Sequence, residues 1–416
     1  MTAFVKALPF LALFPGNFAY QWAAKNGWIP LFVGGYVNEV SLVVCAGVLV
    51  AKSLSSFLKN GQAVVWSSVD TYFALFMVWF AAVVLLNLAL DHAQGTTKNL
   101  TGAWVQMLGC YLAMRLVPLD SLRKPLLWMA FLFSAVVLWA AQSDQLATVF
   151  LSSENSNEAT YQGLARAFLV TAAFGLCGIR RILIRLSGYI IALLVLFLIG
   201  ARSEIFGALV LFTTYEVLVS YKPMRATILI VAVGSILGVV IGAELDNLTA
   251  LFPDNRLLLL LVFGRDDGSY LERAVFNEWA WNAVQERPFR GNYGHYEKMA
   301  SAGSYAHNWV SAWVDLGLIG VVLYLAVPTV AVFSVWRFRR TAVVTANLIL
   351  QRNACIAIGF LAMVIVFGLA AKTFADPGLA TAAGFVAALS TNFRRQRCTD
   401  NQSLVLADKR FLLAGR

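Results

Sequence analysis

The sequence predicts an all-α, polytopic membrane protein with about twelve transmembrane helices and a helical cap built from one long loop. Three observations predict it. The chain of 416 residues is 60% hydrophobic and only 13% charged, with a mean hydropathy of +0.72, whereas soluble domains are about a quarter charged. Apolar runs near 20 residues long recur along the whole length and do not alternate with polar residues, so helices rather than barrel strands satisfy the backbone in lipid. Basic residues gather in alternate connections between the runs, as membrane topology demands.

In order, the expected helix cores are 4–21, 31–51, 70–90, 101–118, 125–141, 162–179, 182–200, 203–220, 226–243, 309–334, 353–371 and 376–392. The first is interrupted by Pro9 and Pro15. The chain therefore divides into transmembrane helices over 1–243, a large external loop over 244–308, three further spans over 309–393 and a basic tail over 394–416. No internal repeat is evident, and no cleavable signal peptide is expected, because the first apolar stretch lacks a small-residue cleavage site.

One set of alternate connections carries Lys52 and Lys59; Arg123 and Lys124; Arg180, Arg181 and Arg185; Lys222 and Arg225; Arg337, Arg339, Arg340 and Arg352. The tail adds Arg394, Arg395, Arg397, Lys409 and Arg410. The other set is neutral or acidic, running from Asp91 to Lys98 and from Ser143 to Tyr161 with Asp144, Glu154 and Glu158. By the positive-inside rule both termini are cytoplasmic and 244–308 faces outward, into the periplasm of a Gram-negative host. The net charge of +10 then reports orientation and contact with anionic membrane lipids rather than nucleic-acid binding. Cys45, Cys110, Cys177 and Cys355 fall in or beside spans, Cys398 lies in the tail, and no CxxC pair occurs. Neither a disulfide nor a metal site is expected.

The polar segment 244–308 concentrates the candidate chemistry. It holds Arg256, Arg265, Arg273, Arg287 and Arg290, two of the three histidines (His295 and His307), and the stretch Arg287-Pro288-Phe289-Arg290-Gly291-Asn292-Tyr293-Gly294. Leu257 to Phe263 reads as a short interfacial helix. Glu272 to Glu286 has helical spacing, with Ala274, Val275, Trp279, Ala280, Ala283 and Val284 toward one side. Pro288 ends it, and the glycines turn the chain. His307 sits where this segment meets the next apolar helix; it suits a general base for a sugar hydroxyl, or a histidine that orients that helix. Asn308 reads as the helix N-cap or as an orienting partner for the imidazole, with Tyr305 as a neighbouring support. Arg202, in Gly200-Ala201-Arg202-Ser203-Glu204, lies so near the hydrocarbon that it must pair, with Glu204 as the obvious partner, or serve a ligand such as pyrophosphate. Arg273 and Arg265 are further anion-binding candidates, and Asp266-Asp267 is a lone acidic pair. Asp376 and Glu39 stand isolated, without the paired intramembrane acids of proton-coupled carriers.

Taken together, Arg202, Arg273, the stretch Glu286 to Gly294, Ala306-His307-Asn308 and Trp313-Val314-Asp315-Leu316-Gly317-Leu318-Ile319-Gly320 resemble the O-antigen ligase and O-antigen polymerase superfamily of bacterial polysaccharide enzymes. The resemblance is sharpest over about 200–320. It departs from the family in the turn after the proline, which usually reads Gly-x-Gly. It implies a GT-C-like fold in the bacterial inner membrane and a metal-independent, inverting glycosyltransferase without cofactor. The implied donor is a glycan on undecaprenyl pyrophosphate. Lipid A–core is the implied acceptor for a ligase, and a second lipid-linked glycan for a polymerase. Arg202 and Arg273, with Arg265 as a substitute, would bind the donor pyrophosphate, and His307 would activate the acceptor hydroxyl. The single dominant external loop favours the ligase. A carrier of lipid-linked glycans is the alternative from another class, although no polar path through the bundle is legible.

Overall fold

The computed structural model describes residues 3–30, 36–58, 66–142, 161–220, 224, 227, 239, 242–251, 255–263, 268–300, 304–344 and 347–391, and among these every regular element is helical. The order is α1 (Ala3–Leu11), a π-turn (Ala12–Gly16), α2 (Asn17–Lys25), α3 (Tyr36–Leu58), α4 (Ser68–Ala89), α5 (Gln94–Leu116), α6 (Leu119–Gln142), α7 (Tyr161–Leu176), α8 (Ile182–Ile199) and α9 (Arg202–Val219). The cap contributes α10 (Leu245–Leu251), α11 (Arg256–Phe263), α12 (Gly268–Glu286) and α13 (His295–Met299). The bundle closes with α14 (Val310–Val344), α15 (Leu348–Ala370) and α16 (Gly378–Thr391).

Five of these helices are long and apolar enough to cross a membrane: those at Ser68–Ala89, Leu119–Ala141, Ile182–Ile199, Val310–Ala342 and Leu348–Ala370. Shorter apolar helices occupy Tyr36–Val48, Gln162–Leu176 and Gly378–Thr391. The all-helical, membrane-type architecture thus follows the sequence, while the count of twelve spans is not reached among the described residues. The expected span 226–243 lies almost wholly outside them, as do the tail and residues 143–160. Pro9 and Pro15 do not end the first helix. Chain direction is carried through by the π-turn that contains Pro15, because a wider turn accommodates the missing N–H and the ring.

The bundle is held by phenylalanines and by close backbone approach. Phe174 packs against Phe10, Phe360 and Phe385 at ring-centroid distances of 5.6, 5.0 and 5.0 Å, joining α1, α7, α15 and α16. The most extensive helix pair is α9 on α15. Gly359 there leaves room for the Leu211 carbonyl, and Gly207 for Phe367, the small-residue packing common between membrane helices. Two buried ion pairs sit away from the cap. Arg115 binds Asp70 at 2.9 Å, and Asp70 also closes the capping box that starts α4. Arg185 holds both carboxylate oxygens of Glu216, with Tyr189 donating to the same carboxylate at 2.8 Å. Arg185 is therefore not the loop charge that its position suggested. It is buried at 4% exposure, and its charge is satisfied inside the bundle.

Candidate active site

The cap docks through two glycines placed back to back. After α12, the turn Pro288 to Gly294 lies against a break inside α14, where Gly317 leaves helical geometry with φ +70°. Gly291 has φ +73°. The carbonyl of Val314, freed by the break, accepts from the Asn292 N–H at 2.7 Å, and the Leu318 N–H donates to the Phe289 carbonyl at 3.1 Å. The Trp313 indole donates to the Pro288 carbonyl at 2.6 Å. The stretches that carried the family resemblance, Pro288 to Gly294 and Trp313 to Gly320, thus form one interlocking joint. The cap is pinned a second time at α5. Glu297 accepts from the N–H groups of Gly95 and Thr96 at 3.2 and 2.7 Å, capping the start of that helix, and Tyr293 shares a hydrogen bond of 3.0 Å with Thr97.

The buried face of α12 is Phe276, Ala280, Ala283 and Val284, packed on Tyr296, Ala306, Val310 and Val314. This is helical spacing of four, three and one. Ala274 and Val275, expected on that face, are exposed, because Phe276 supplies the large apolar anchor. On the same helix, Asn277 accepts from the Asn308 amide at 2.7 Å, and Asn308 Oδ1 accepts from the Val310 N–H at 3.0 Å. Asn308 is accordingly the cap of α14 and also its tie to α12. Arg273 lies one turn before Asn277.

His307 is half-buried beside Tyr305, with ring centroids 4.8 Å apart. Its Nδ1 is buried and has no hydrogen-bond partner among the described residues. Burial first, and then the positive charges of Arg273 and Lys372, push its pKa down to about 4 against a weaker opposing contact with the Ala371 backbone. The imidazole is therefore neutral at pH 7. Lys372 comes from the connection between α15 and α16, which lies across the start of α14. Ser311 accepts from the Thr373 hydroxyl and the Phe374 N–H, each at 3.1 Å, and the Trp309 N–H donates to Gly368 at 2.7 Å.

That connection completes an ion network that the sequence did not announce. Glu204, 1% exposed at its side chain, takes Lys372 at 3.1 Å and Arg166 at 3.2 Å, and Ser203 donates to its other oxygen at 2.6 Å. Arg166 also reaches Asp376 at 2.6 Å, and Lys372 donates to Gln162 at 3.0 Å. Asp376 is therefore not isolated. It and Glu204 share one arginine, contributed by α7. Arg166 and Lys372 were missed, although an arginine six residues into an apolar helix is the signal that could have found the first. Arg202 stands at the first position of α9, two residues before Glu204. The cap reaches the turn before it as well, since Asn255 donates to the Phe197 carbonyl at 2.8 Å while its Oδ1 accepts from the Leu257 N–H at the start of α11. Arg265, Asp266 and Asp267 lie outside the described residues.

Arg273 and Lys372 are thus the cations that act on His307; Lys372 is held by Glu204, which with Asp376 also engages Arg166, and Arg202 stands two residues before Glu204. A neutral imidazole can accept a proton from a hydroxyl, and an arginine such as Arg273 can hold an anion. Compared with models of known protein families and with curated protein sequences, the chain matches none.

Proposed function

We propose that this protein is a membrane glycosyltransferase that moves a glycan from undecaprenyl pyrophosphate to an acceptor hydroxyl. The observation that carries the reading is His307 at the joint of cap and bundle, beside Tyr305 and with its buried Nδ1 unpartnered among the described residues, where burial and the charges of Arg273 and Lys372 favour the neutral ring. Arg202 and Arg273 bind the donor diphosphate. The acceptor oxygen attacks the anomeric carbon in line with the departing diphosphate. The bond from carbon to the diphosphate oxygen breaks, the configuration inverts, the acceptor proton passes to His307, and undecaprenyl pyrophosphate leaves with the bonding pair. Cationic stabilisation of that leaving group lowers the barrier. A base of pKa about 4 is weak, but the donor's own negative charge offsets the two cations and raises the proton affinity of His307 when the substrate is present.

Lipid A–core is the preferred acceptor, which makes the protein an O-antigen ligase facing the periplasm of the inner membrane. The polymerase reading changes only the acceptor, to a second lipid-linked glycan. Purified protein given lipid-linked glycan and lipid A–core separates the two: core transfer supports the ligase, and elongated lipid-linked product without core transfer refutes it. His307→Ala abolishes transfer in either case. A carrier gains one specific observation, the buried network of Arg166, Glu204, Lys372 and Asp376. Undiminished glycan translocation without any transfer by wild-type protein, and no effect of His307→Ala, would favour it over the enzyme.

A further inference from the structure

A cavity of about 510 Å³ opens inside the bundle beside the ion network, between the π-turn, α2, α3, α5, α7 and the start of α16. Ligand pockets run from about 300 to 1,000 Å³, so its size suits a small organic molecule. Its wall is unusually rich in carboxamides: Asn17, Gln21, Asn38, Asn99, Gln106 and Gln162. Amides inside an apolar bundle are costly unless they are satisfied. Gln21 is 8% exposed, its Nε2 donates to Asn17 at 3.4 Å, and its buried Oε1 has no hydrogen-bond partner among the described residues.

The chemistry of the wall selects the ligand. Carboxamides both donate and accept, as hydroxyl groups do. Of the two cations that line the cavity, Arg166 is already engaged by Glu204 and Asp376 and Lys98 is exposed to solvent, so the buried part of the wall offers an anion little and its carboxamides dominate. Phe14 and Tyr36 add aromatic surface to the same wall, which suits the C–H face of a ring. We propose that this cavity binds a neutral saccharide residue, part of the donor glycan or of the acceptor. The proposal rests on the transferase reading for its place in a reaction, but the binding itself does not. Arg166 and Asp376 border the cavity, and they share a network with Glu204 and Lys372, whose charge acts on His307. His307 itself does not line the cavity, so a sugar held there would lie apart from the proposed base.

The test uses the full chain in lipid nanodiscs free of glycosidic detergent. The probes are methyl α- and β-glycosides of glucose, galactose, mannose and N-acetylglucosamine at millimolar concentration, read by saturation-transfer NMR. Binding of at least one glycoside is expected. It should weaken about tenfold in Gln21→Leu and in Gln106→Leu, each of which removes a neutral hydrogen bond at nearly constant volume, and persist in His307→Ala. Two variants on different helices are used so that misfolding of one leaves the other as the test. No binding of any probe overturns the proposal, and so does binding that survives both leucine variants. Binding with no transferase activity would sink the enzyme reading and leave the cavity assignment standing. Transfer with unchanged KM values in both variants would do the reverse. A rise in KM confined to the lipid-linked donor assigns the saccharide to the donor, and a rise confined to the acceptor assigns it to the acceptor.

Discussion

Replacing Gly291 with alanine tests whether the joint between cap and bundle is as tight as it looks. A Cβ at Gly291 would stand 2.5 Å from the Val314 carbonyl oxygen, 2.8 Å from that of Trp313 and 2.9 Å from the Gly317 nitrogen. All three are backbone atoms and cannot swing aside. The left-handed conformation itself costs alanine about 1–2 kcal/mol, and forcing a methyl group into packed surroundings costs about 1–3 kcal/mol. The sum, about 2–5 kcal/mol, corresponds to roughly thirtyfold or more in the opening equilibrium of the cap. Gly27 supplies the control: it has φ +69°, and among the described residues no atom lies within 4 Å of its added Cβ. Gly27→Ala should show the conformational cost alone. Hydrogen–deuterium exchange reads both variants. Amides of 286–299 in Gly291→Ala should exchange at least thirtyfold faster than wild type, and amides around Gly27 in its variant no more than about thirtyfold faster. Unchanged exchange in 286–299 would refute the collision argument. Gly317→Ala strikes the same contact from the other side, since its Cβ would lie 2.7 Å from the Phe289 carbonyl oxygen. The double variant should therefore cost clearly less than the sum of the two.

Three further outcomes follow from the site. Burial acts to raise the Glu297 pKa, but hydrogen bonds from Thr96 and Gly95 outweigh it and leave it lowered from 4.5; a group lowered by folding stabilises above its unfolded pKa and loses that contribution as pH falls through the folded value. Protection factors at the start of α5, taken against the intrinsic exchange rate at each pH, should thus fall below pH 4.5, and Glu297→Gln should remove that acid dependence; a profile identical to wild type in that variant would rule out Glu297 as the cause. In NMR titration, the His307 ring should change charge near pH 4, and higher in Arg273→Ala, where one opposing cation is gone; a wild-type midpoint near 6.5 would contradict the geometry. Arg166→Met leaves Glu204 and Asp376 with a partner removed, and breaking a buried pair costs about 3–5 kcal/mol, so its thermal unfolding in detergent should fall well below wild type, with wild-type behaviour arguing that the network is not structural.

The helices were legible because their determinants are local. Apolar runs of sufficient length must be helical in lipid whatever they pack against, and α4, α6, α8 and α15 lie within a few residues of their expected cores, apart from extra turns at the starts of α6 and α15. The end of α12 was legible too, since Pro288 stops a helix and the glycines after it permit a turn. The same sequence placed Arg273, His307 and Asn308 near one another, because all three belong to one segment bounded by a helix start. Where local rules ran out, so did the reading. Arg185 looked like a loop charge, but its partner Glu216 lies on the next helix. Phe276 rather than Val275 was buried, because the face of α12 is chosen by Tyr296, Ala306 and Val314 and not by α12 itself.

The sequence by itself determined an all-helical chain with helices long and apolar enough to cross a membrane and one polar segment, and it pointed to His307 and the arginines by residue type. Only the tertiary structure decided what surrounds them. Arg166, Glu204, Lys372 and Asp376 are separated by up to 210 residues in sequence yet form one network. Gly291 and Gly317 show their purpose only when two turns meet. The physical reason is the same in each case. A buried charge or a left-handed glycine is tolerated only for what it touches, and that partner is set by how distant helices pack rather than by neighbours along the chain.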